Sequence, residues 1–265
     1  MKNLIFVLIF LSVNILFCND TYIEDTPTAG NVVFTKRLID TPTAFSLNRG
    51  QIEIGGRLYA SNGMMGEVNI GIYPNFFFGV SYGTTNIMGD QTPAWNGQPG
   101  MRLQFLAFKE DFYFPNLSIG FDSQGAGQWL GDRFAVKSKG FYLVMSKNYY
   151  VSEGQLGTLG FHWGINYCVT EEDEYSGDDN MNMFVGFDKS IVPTVNFLCE
   201  YDFAWNDNSK NAPDPVKKKG NGYLNLGLRW SFDDTLHLEF DMKDVLKNTG
   251  ETLGREVRVI YTTSF

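Results

Sequence analysis

The sequence has very few long apolar runs. One extends from Leu4 to Phe17, broken by Ser12 and Asn14, and nothing after it is long enough for a membrane-spanning helix. Cysteine is scarce as well: Cys18, Cys168 and Cys199 form no C-x-x-C pair and no Cys/His cluster with zinc spacing. Cys168 and Cys199 fall on opposite faces of their expected strands, so no disulfide between them is expected. Histidine is represented by His162 and His237 alone. Basic residues are outnumbered, 21 Lys and Arg against 30 Asp and Glu, for a net charge of −9. A chain of that balance repels phosphate backbones, which argues against nucleic-acid partners. No cofactor motif is present: Gly125-Ala126-Gly127 lacks the strand–helix setting of a nucleotide fold.

The apolar run has Lys2 before it and polar residues directly after it. It reads as a secretory signal peptide over residues 1–18, cut near Cys18 to Asp20. A lipoprotein would carry acyl chains on Cys18, but Ile15-Leu16-Phe17 lacks the small residues expected there, so simple removal is the expectation. Residues 19–50 are polar and carry Pro and Thr, with a short repeat, Asp25-Thr26-Pro27-Thr28-Ala29 and Asp40-Thr41-Pro42-Thr43-Ala44. Pro interrupts regular pairing there, so the segment is expected to lie in the periplasm or to plug a lumen.

From Gln51 the sequence alternates. Ile52, Ile54 and Leu58 oppose Glu53 and Arg57; Leu224, Leu226, Leu228 and Trp230 oppose Asn225 and Arg229; Leu236, Leu238 and Phe240 oppose His237, Glu239 and Asp241. This period of two recurs about twelve times through residue 265, with the run Phe141 to Met145 the weakest. Residues 51–265 are therefore expected to form an all-β, transmembrane, antiparallel up-and-down barrel of about twelve strands. Three features favour lipid contact over a soluble sandwich. Charge collects on one face, at Glu53, Arg57, Glu67, Arg102, Asp122, Asp188, Glu200, Asp202, Arg229, Glu239, Asp241 and Arg258; an Arg or Lys on the lipid side would cost roughly 2–4 kcal/mol at mid-membrane. Short links alternate with long ones, apart from Ser61-Asn62-Gly63, which is short where a longer outer loop is due. The chain ends on Val257, Val259, Tyr261 and Phe265 at alternate positions, the pattern of a C-terminal assembly signal read by the barrel assembly machinery. Tyr73, Phe76, Trp205 and Tyr223 suit interfacial girdles.

The inward charges Arg57, Glu67, Arg102, Glu200, Asp202, Arg229, Glu239, Asp241 and Arg258 are the candidate lumen or constriction residues. The three-residue link Asp233-Asp234-Thr235 sets Arg229 opposite Glu239, either as a solute-selecting constriction or as an ion pair that closes the interior. His162 and His237 face inward as hydrogen-bonded lumen residues, and no Ser stands two residues along from His162 as a lipase pair would require, so no catalytic residue is expected. The acidic run Glu171-Glu172-Asp173-Glu174 with Asp178-Asp179, and Lys217-Lys218-Lys219, read as solvated outer-loop runs rather than metal or lipid sites.

Leu38-Ile39-Asp40-Thr41-Pro42-Thr43-Ala44, followed by Asn48-Arg49-Gly50-Gln51-Ile52-Glu53-Ile54-Gly55-Gly56, resembles the opening of YjbH-like outer-membrane proteins. Asn116 to Gly125 and Asp241-Met242-Lys243-Asp244 are similar to further stretches of that group. The resemblance implies a bacterial outer-membrane barrel tied to exopolysaccharide export or assembly, with polysaccharide-export components as partners besides lipid; it supplies no catalytic residues. The expected function is a narrow channel for small polar solutes or polysaccharide-related export. The alternative is a closed structural or assembly-partner barrel.

Overall fold

The structure is a computed structural model that describes residues 35–88, 90–151, 157–171, 180–249 and 254–265. The leader, Cys18, the first Asp25–Ala29 repeat and the acidic run after Glu171 lie outside the described residues. The strands, in chain order, are β1 (Gln51–Tyr59), β2 (Gly63–Tyr73), β3 (Phe76–Thr85), β4 (Ala94–Trp95), β5 (Gly100–Phe108), β6 (Asn116–Asp122), β7 (Ala126–Trp129), β8 (Phe134–Val136), β9 (Gly140–Tyr150), β10 (Thr158–Tyr167), β11 (Asn182–Val192), β12 (Val195–Asp202), β13 (Tyr223–Ser231), β14 (Leu236–Lys243) and β15 (Gly254–Ser264).

Twelve of them close into an antiparallel barrel. Each barrel strand pairs with its neighbour, and β15 returns to pair with β1, from Gln51 opposite Ser264 to Leu58 opposite Val257. Closure leaves no unpaired edge in the wall, which is what a sheet needs in hydrocarbon. The weakly alternating run at Phe141 lies in β9, one of the longest strands, whose outward phase runs past Met145 through Lys147 to Tyr149. The short pieces β4, β7 and β8 sit in outer loops, where no alternation marks them. The link after β1 turns within Ala60–Asn62, with Ser61 and Asn62 at φ of 62° and 50°, a left-handed pair that lets so short a link reverse the chain.

The outward face is an apolar belt: Ile54, Val80, Phe105, Ile119, Phe141 and Phe240 are each 43–57% exposed. Among the described strand residues, charge on outward positions is confined to Lys147, Lys189 and Arg255, all near strand ends. Such a surface is stable against lipid and costly against water. The chain is an outer-membrane barrel, with its short links on the periplasmic side. Of the expected girdle residues, Tyr73 and Trp205 are exposed. Tyr223 is buried instead, because it falls on the inward phase of β13 and its hydroxyl donates to Asp207 Oδ2 at 2.8 Å.

The interior holds chain as well as side chains. Residues 35–49 form a narrow hairpin inside the barrel. Thr43 N donates to Lys36 O at 3.0 Å and Leu38 N to Thr41 O at 2.9 Å, so the turn is Leu38-Ile39-Asp40-Thr41. The second arm leaves at the periplasmic end, where Gly50 N donates to Gly71 O at 2.9 Å. Two glycines make room for it. A Cβ on Gly71 would lie 1.9 Å from Asn48 O, and one on Gly186 would lie 2.4 Å from Leu38 Cδ2. The apolar side of the hairpin packs on the wall: Leu38 and Ile39 on Leu198, and Ala44 with Tyr142, Val144 and Phe184.

Candidate functional site: the occupied lumen

The lumenal charges fall into register because adjacent strands place them on one ladder row. Arg229 on β13 lies opposite Glu239 on β14, Glu239 opposite Arg258 on β15, and Arg258 opposite Arg57 on β1. Arg229 Nε donates to Glu239 Oε1 at 2.5 Å, and Arg258 Nη1 lies 3.2 Å from Glu239 Oε2. Arg258 Nη2 donates to Glu256 Oε1 at 3.0 Å, and Arg57 Nε is 3.3 Å from the same oxygen. Arg102 pairs with Asp122 at 2.6 Å, and Asp202 pairs with Lys139. The nine inward residues singled out from the sequence all face the lumen and are buried. Buried ions of this kind are held by their partners; removing one strands the other.

The hairpin turn is tied into this row. The Glu200 carboxylate accepts the amides of Ile39 (3.0 Å), Asp40 (2.9 Å) and Thr41 (2.9 Å), and the Thr41 hydroxyl at 2.7 Å. The turn carbonyls face the cations: Arg229 Nη2 donates to Leu38 O at 2.9 Å and Arg258 Nη2 to Ile39 O at 2.8 Å. Asp40 pairs with Lys243, and with Arg57 Nη1 at 3.4 Å. Arg37 reaches the other wall, 3.5 Å from Glu67 and 3.3 Å from Asp122. Lys36 pairs with Glu53, so Lys36, Arg37, Asp40, Lys243 and Glu256 are part of the constellation and were not singled out as candidates. For Lys243 and Glu256 the signal was their inward strand phase; for the hairpin it was the Leu38–Ala44 stretch in a segment able to plug the lumen, with nothing to show its individual contacts. Asp241 is buried, and neither of its carboxylate oxygens has a hydrogen-bond partner among the described residues.

A second buried network lies over the outer mouth. Arg133 Nη2 donates to Asp207 Oδ1 at 2.6 Å, and Lys218 Nζ donates to Ala135 O at 2.6 Å and lies 3.9 Å from Asp207. The carboxylate of Glu171 accepts the amides of Phe134 (3.0 Å) and Ser138 (2.6 Å). Lys218 and Glu171 are therefore buried, not solvated, because separate loops fold over them; Lys217 and Lys219 remain exposed. Burial alone would raise the Asp207 carboxyl, but Lys218 and Arg133 overcome it and hold it below the usual carboxylate range.

His162 and His237 face inward. Ser231 Oγ lies 2.9 Å from His237 Nδ1. His162 sits between Ser146 Oγ, 2.8 Å from Nδ1, and Asp188 Oδ1, 2.8 Å from Nε2. Ser146 was missed as a partner because it stands across the ladder on β9, sixteen residues away. It also accepts the amide of Ala44 at 2.8 Å, so its oxygen is engaged by the hairpin rather than open to a substrate.

Residues 34–259 match the family profile described as exopolysaccharide biosynthesis protein YbjH. The chain belongs to the YjbH family. The matched span takes in the whole described hairpin and most of the barrel. No curated protein matches this YjbH-family chain. Among solved structures it is similar to Omp33 of Acinetobacter baumannii, with 8% identity, a TM-score of 0.43, and cover of 81% of this chain and 97% of that one. It is also similar to the KdgM porin, with 9% identity, a TM-score of 0.42, and cover of 81% and 99%. Outer membrane phospholipase A from Escherichia coli gives 12% identity, a TM-score of 0.34, and cover of 92% and 94%. At that distance these likenesses say nothing about what a YjbH-family barrel passes or acts on.

Proposed function

We propose that this YjbH-family barrel is a narrow outer-membrane conduit in exopolysaccharide export, closed at rest by its own N-terminal hairpin. The carrying observation is that the bore is filled by a separate segment of chain and not by the wall side chains alone. Small barrels can close with wall side chains. A lumen that admits two arms of polypeptide has the width for a single polysaccharide strand once the hairpin leaves. The wall it leaves behind is lined by Arg57, Glu67, Arg102, Glu200, Asp202, Arg229, Glu239, Asp241 and Arg258, a mixed-charge surface suited to hydrated solutes. The periplasmic exit of the hairpin puts its release within reach of export components on that side. Val257, Val259 and Tyr261 lie along β15 on its outward phase, and the exposed Phe265 follows it directly, where the barrel assembly machinery would read them. The reading contains no catalytic step, and the engaged Ser146 hydroxyl supports leaving one out.

A closed structural barrel is the second reading. The capped outer mouth and the Arg229–Glu239–Arg258 chain favour it. Planar-bilayer recordings separate the two, on protein shown to be folded by a heat-dependent gel shift. A conduit predicts a quiet wild type and stepwise openings in Glu200→Ala, which frees the turn. Silence from both folded proteins would leave the closed barrel standing.

A further inference from the structure

The contacts around Asp40 and Thr41 contain more hydrogen-bonding capacity than the hairpin uses. The Asp40 carboxylate is held by Lys243, by Arg57 Nη1 at 3.4 Å and by Asn225 Nδ2 at 3.5 Å. Yet Arg57 Nη2 and Arg258 Nε have no hydrogen-bond acceptor among the described residues, although Arg57 and Arg258 are at least nine-tenths buried. On the same side of the lumen the Asp241 carboxylate has no donor among the described residues. Unspent donors and unspent acceptors therefore stand together in one buried wall. Leaving such groups unpaired is costly. A ligand that carries both a carboxylate and hydroxyls would satisfy them.

The hairpin tip already presents part of that chemistry. Asp40 gives a carboxylate to Lys243 and Arg57, and one residue on, Thr41 gives a hydroxyl to Glu200 at 2.7 Å. A sugar acid carries a carboxylate and hydroxyls on one ring. Guanidinium and ammonium groups take the first, and carboxylate and amide side chains take the second.

We propose that the cradle of Arg57, Lys243, Arg258, Glu200, Asn225 and Asp241 is a binding site for an anionic saccharide, and that the hairpin tip occupies it as a built-in competitor. This rests on the conduit reading and adds the substrate class to it. The saccharide enters as Asp40 and Thr41 leave, so ligand binding and opening of the bore are one exchange.

The test is equilibrium binding to the folded, full-length protein in nanodiscs, with a hyaluronan tetrasaccharide as the carboxylate-bearing probe and chitotetraose as the neutral one. Asp40→Ser removes the competing carboxylate. It should bind the acidic probe at least about tenfold more tightly than wild type does, and at least about tenfold more tightly than it binds the neutral probe. Adding Lys243→Gln to Asp40→Ser should take most of that gain away. Equal binding of the two probes, or no saturable binding to a folded Asp40→Ser barrel, overturns the site. Should Asp40→Ser fail to fold, wild type serves: saturating acidic probe should speed hydrogen exchange at the Ile39, Asp40 and Thr41 amides and the neutral probe should not, while unchanged exchange overturns the proposal. Conductance separates the two readings. An Asp40→Ser channel that opens without preferring the acidic probe keeps the conduit and overturns the site; acid-selective binding without conductance keeps the site and removes the conduit.

Discussion

The lumen and the outer mouth are both closed over buried ions, but by different kinds of chain. In the lumen, the ions hold a hairpin that belongs to no barrel strand: Glu200 takes its turn amides, Arg229 and Arg258 its carbonyls, and Lys243 its Asp40. At the mouth, Arg133, Asp207, Lys218 and Glu171 tie together loops that are anchored at both ends to strands. The hairpin can leave as one piece while every barrel ladder stays paired. The mouth loops can only loosen. A gate is therefore expected at the first place and a selectivity or shielding cap at the second.

Glu239 pairs with the wall cations Arg229 and Arg258. Glu239→Ala strands two buried guanidiniums, Arg229 and Arg258, and should cost about 3–5 kcal/mol in urea unfolding from lipid. Glu200→Ala should act mainly on the hairpin, since Glu200 holds three turn amides and the Thr41 hydroxyl and takes one bond from the wall, from Asn225 Nδ2 at 2.7 Å. The docked turn loses its charged acceptor, worth about 2–3 kcal/mol, so exchange at Ile39, Asp40 and Thr41 should rise while strand amides keep their protection. If strand protection fell equally, hairpin and wall would be one cooperative unit and the distinction would vanish.

The cap sharpens the contrast through pH. The Asp207 carboxyl is lowered on folding, so its stabilisation is present above the unfolded-state pKa and is lost as pH falls through the folded-state value. Acidification should loosen the cap of wild type, read as faster proteolysis of the 203–222 loop. Asp207→Asn should cost about 2 kcal/mol locally at neutral pH and flatten that pH response. Hairpin exchange should not follow either change. Phe265→Ala is the smallest perturbation. Its side chain is 87% exposed, so the refolded barrel should keep its stability within about 0.5 kcal/mol. Yield in the outer membrane should fall, and an unchanged yield would remove Phe265 from the assembly signal.

The wall was legible because each strand carries its own period of two, from Ile52 in β1 to Tyr261 in β15. The Arg229–Glu239 pair was legible for a related reason: one short link joins its two strands and fixes their register. The hairpin was legible only as a segment that lies in the periplasm or plugs the lumen; its turn and its contacts were not. Leu38 to Ala44 has a proline and no alternation, and its position is set by Glu200, Arg229, Lys243, Arg258 and Arg57, five residues on five strands. The meeting of Ser146 and Asp188 at His162 was not legible either, since it depends on registers across three strands. Lys218 was misread as solvated because Asp207 and Ala135 cover it from elsewhere in the chain.

The most direct test of the gate is a recording before and after the hairpin is cut free in the same membrane. Asn48 and Arg49 are exposed where the hairpin joins β1, so a specific protease site can be inserted there. A hairpin gate predicts a silent channel that begins to step open when protease is added to the periplasmic side, with cleavage verified on a gel. A fully cleaved, still folded barrel that stays silent would contradict it.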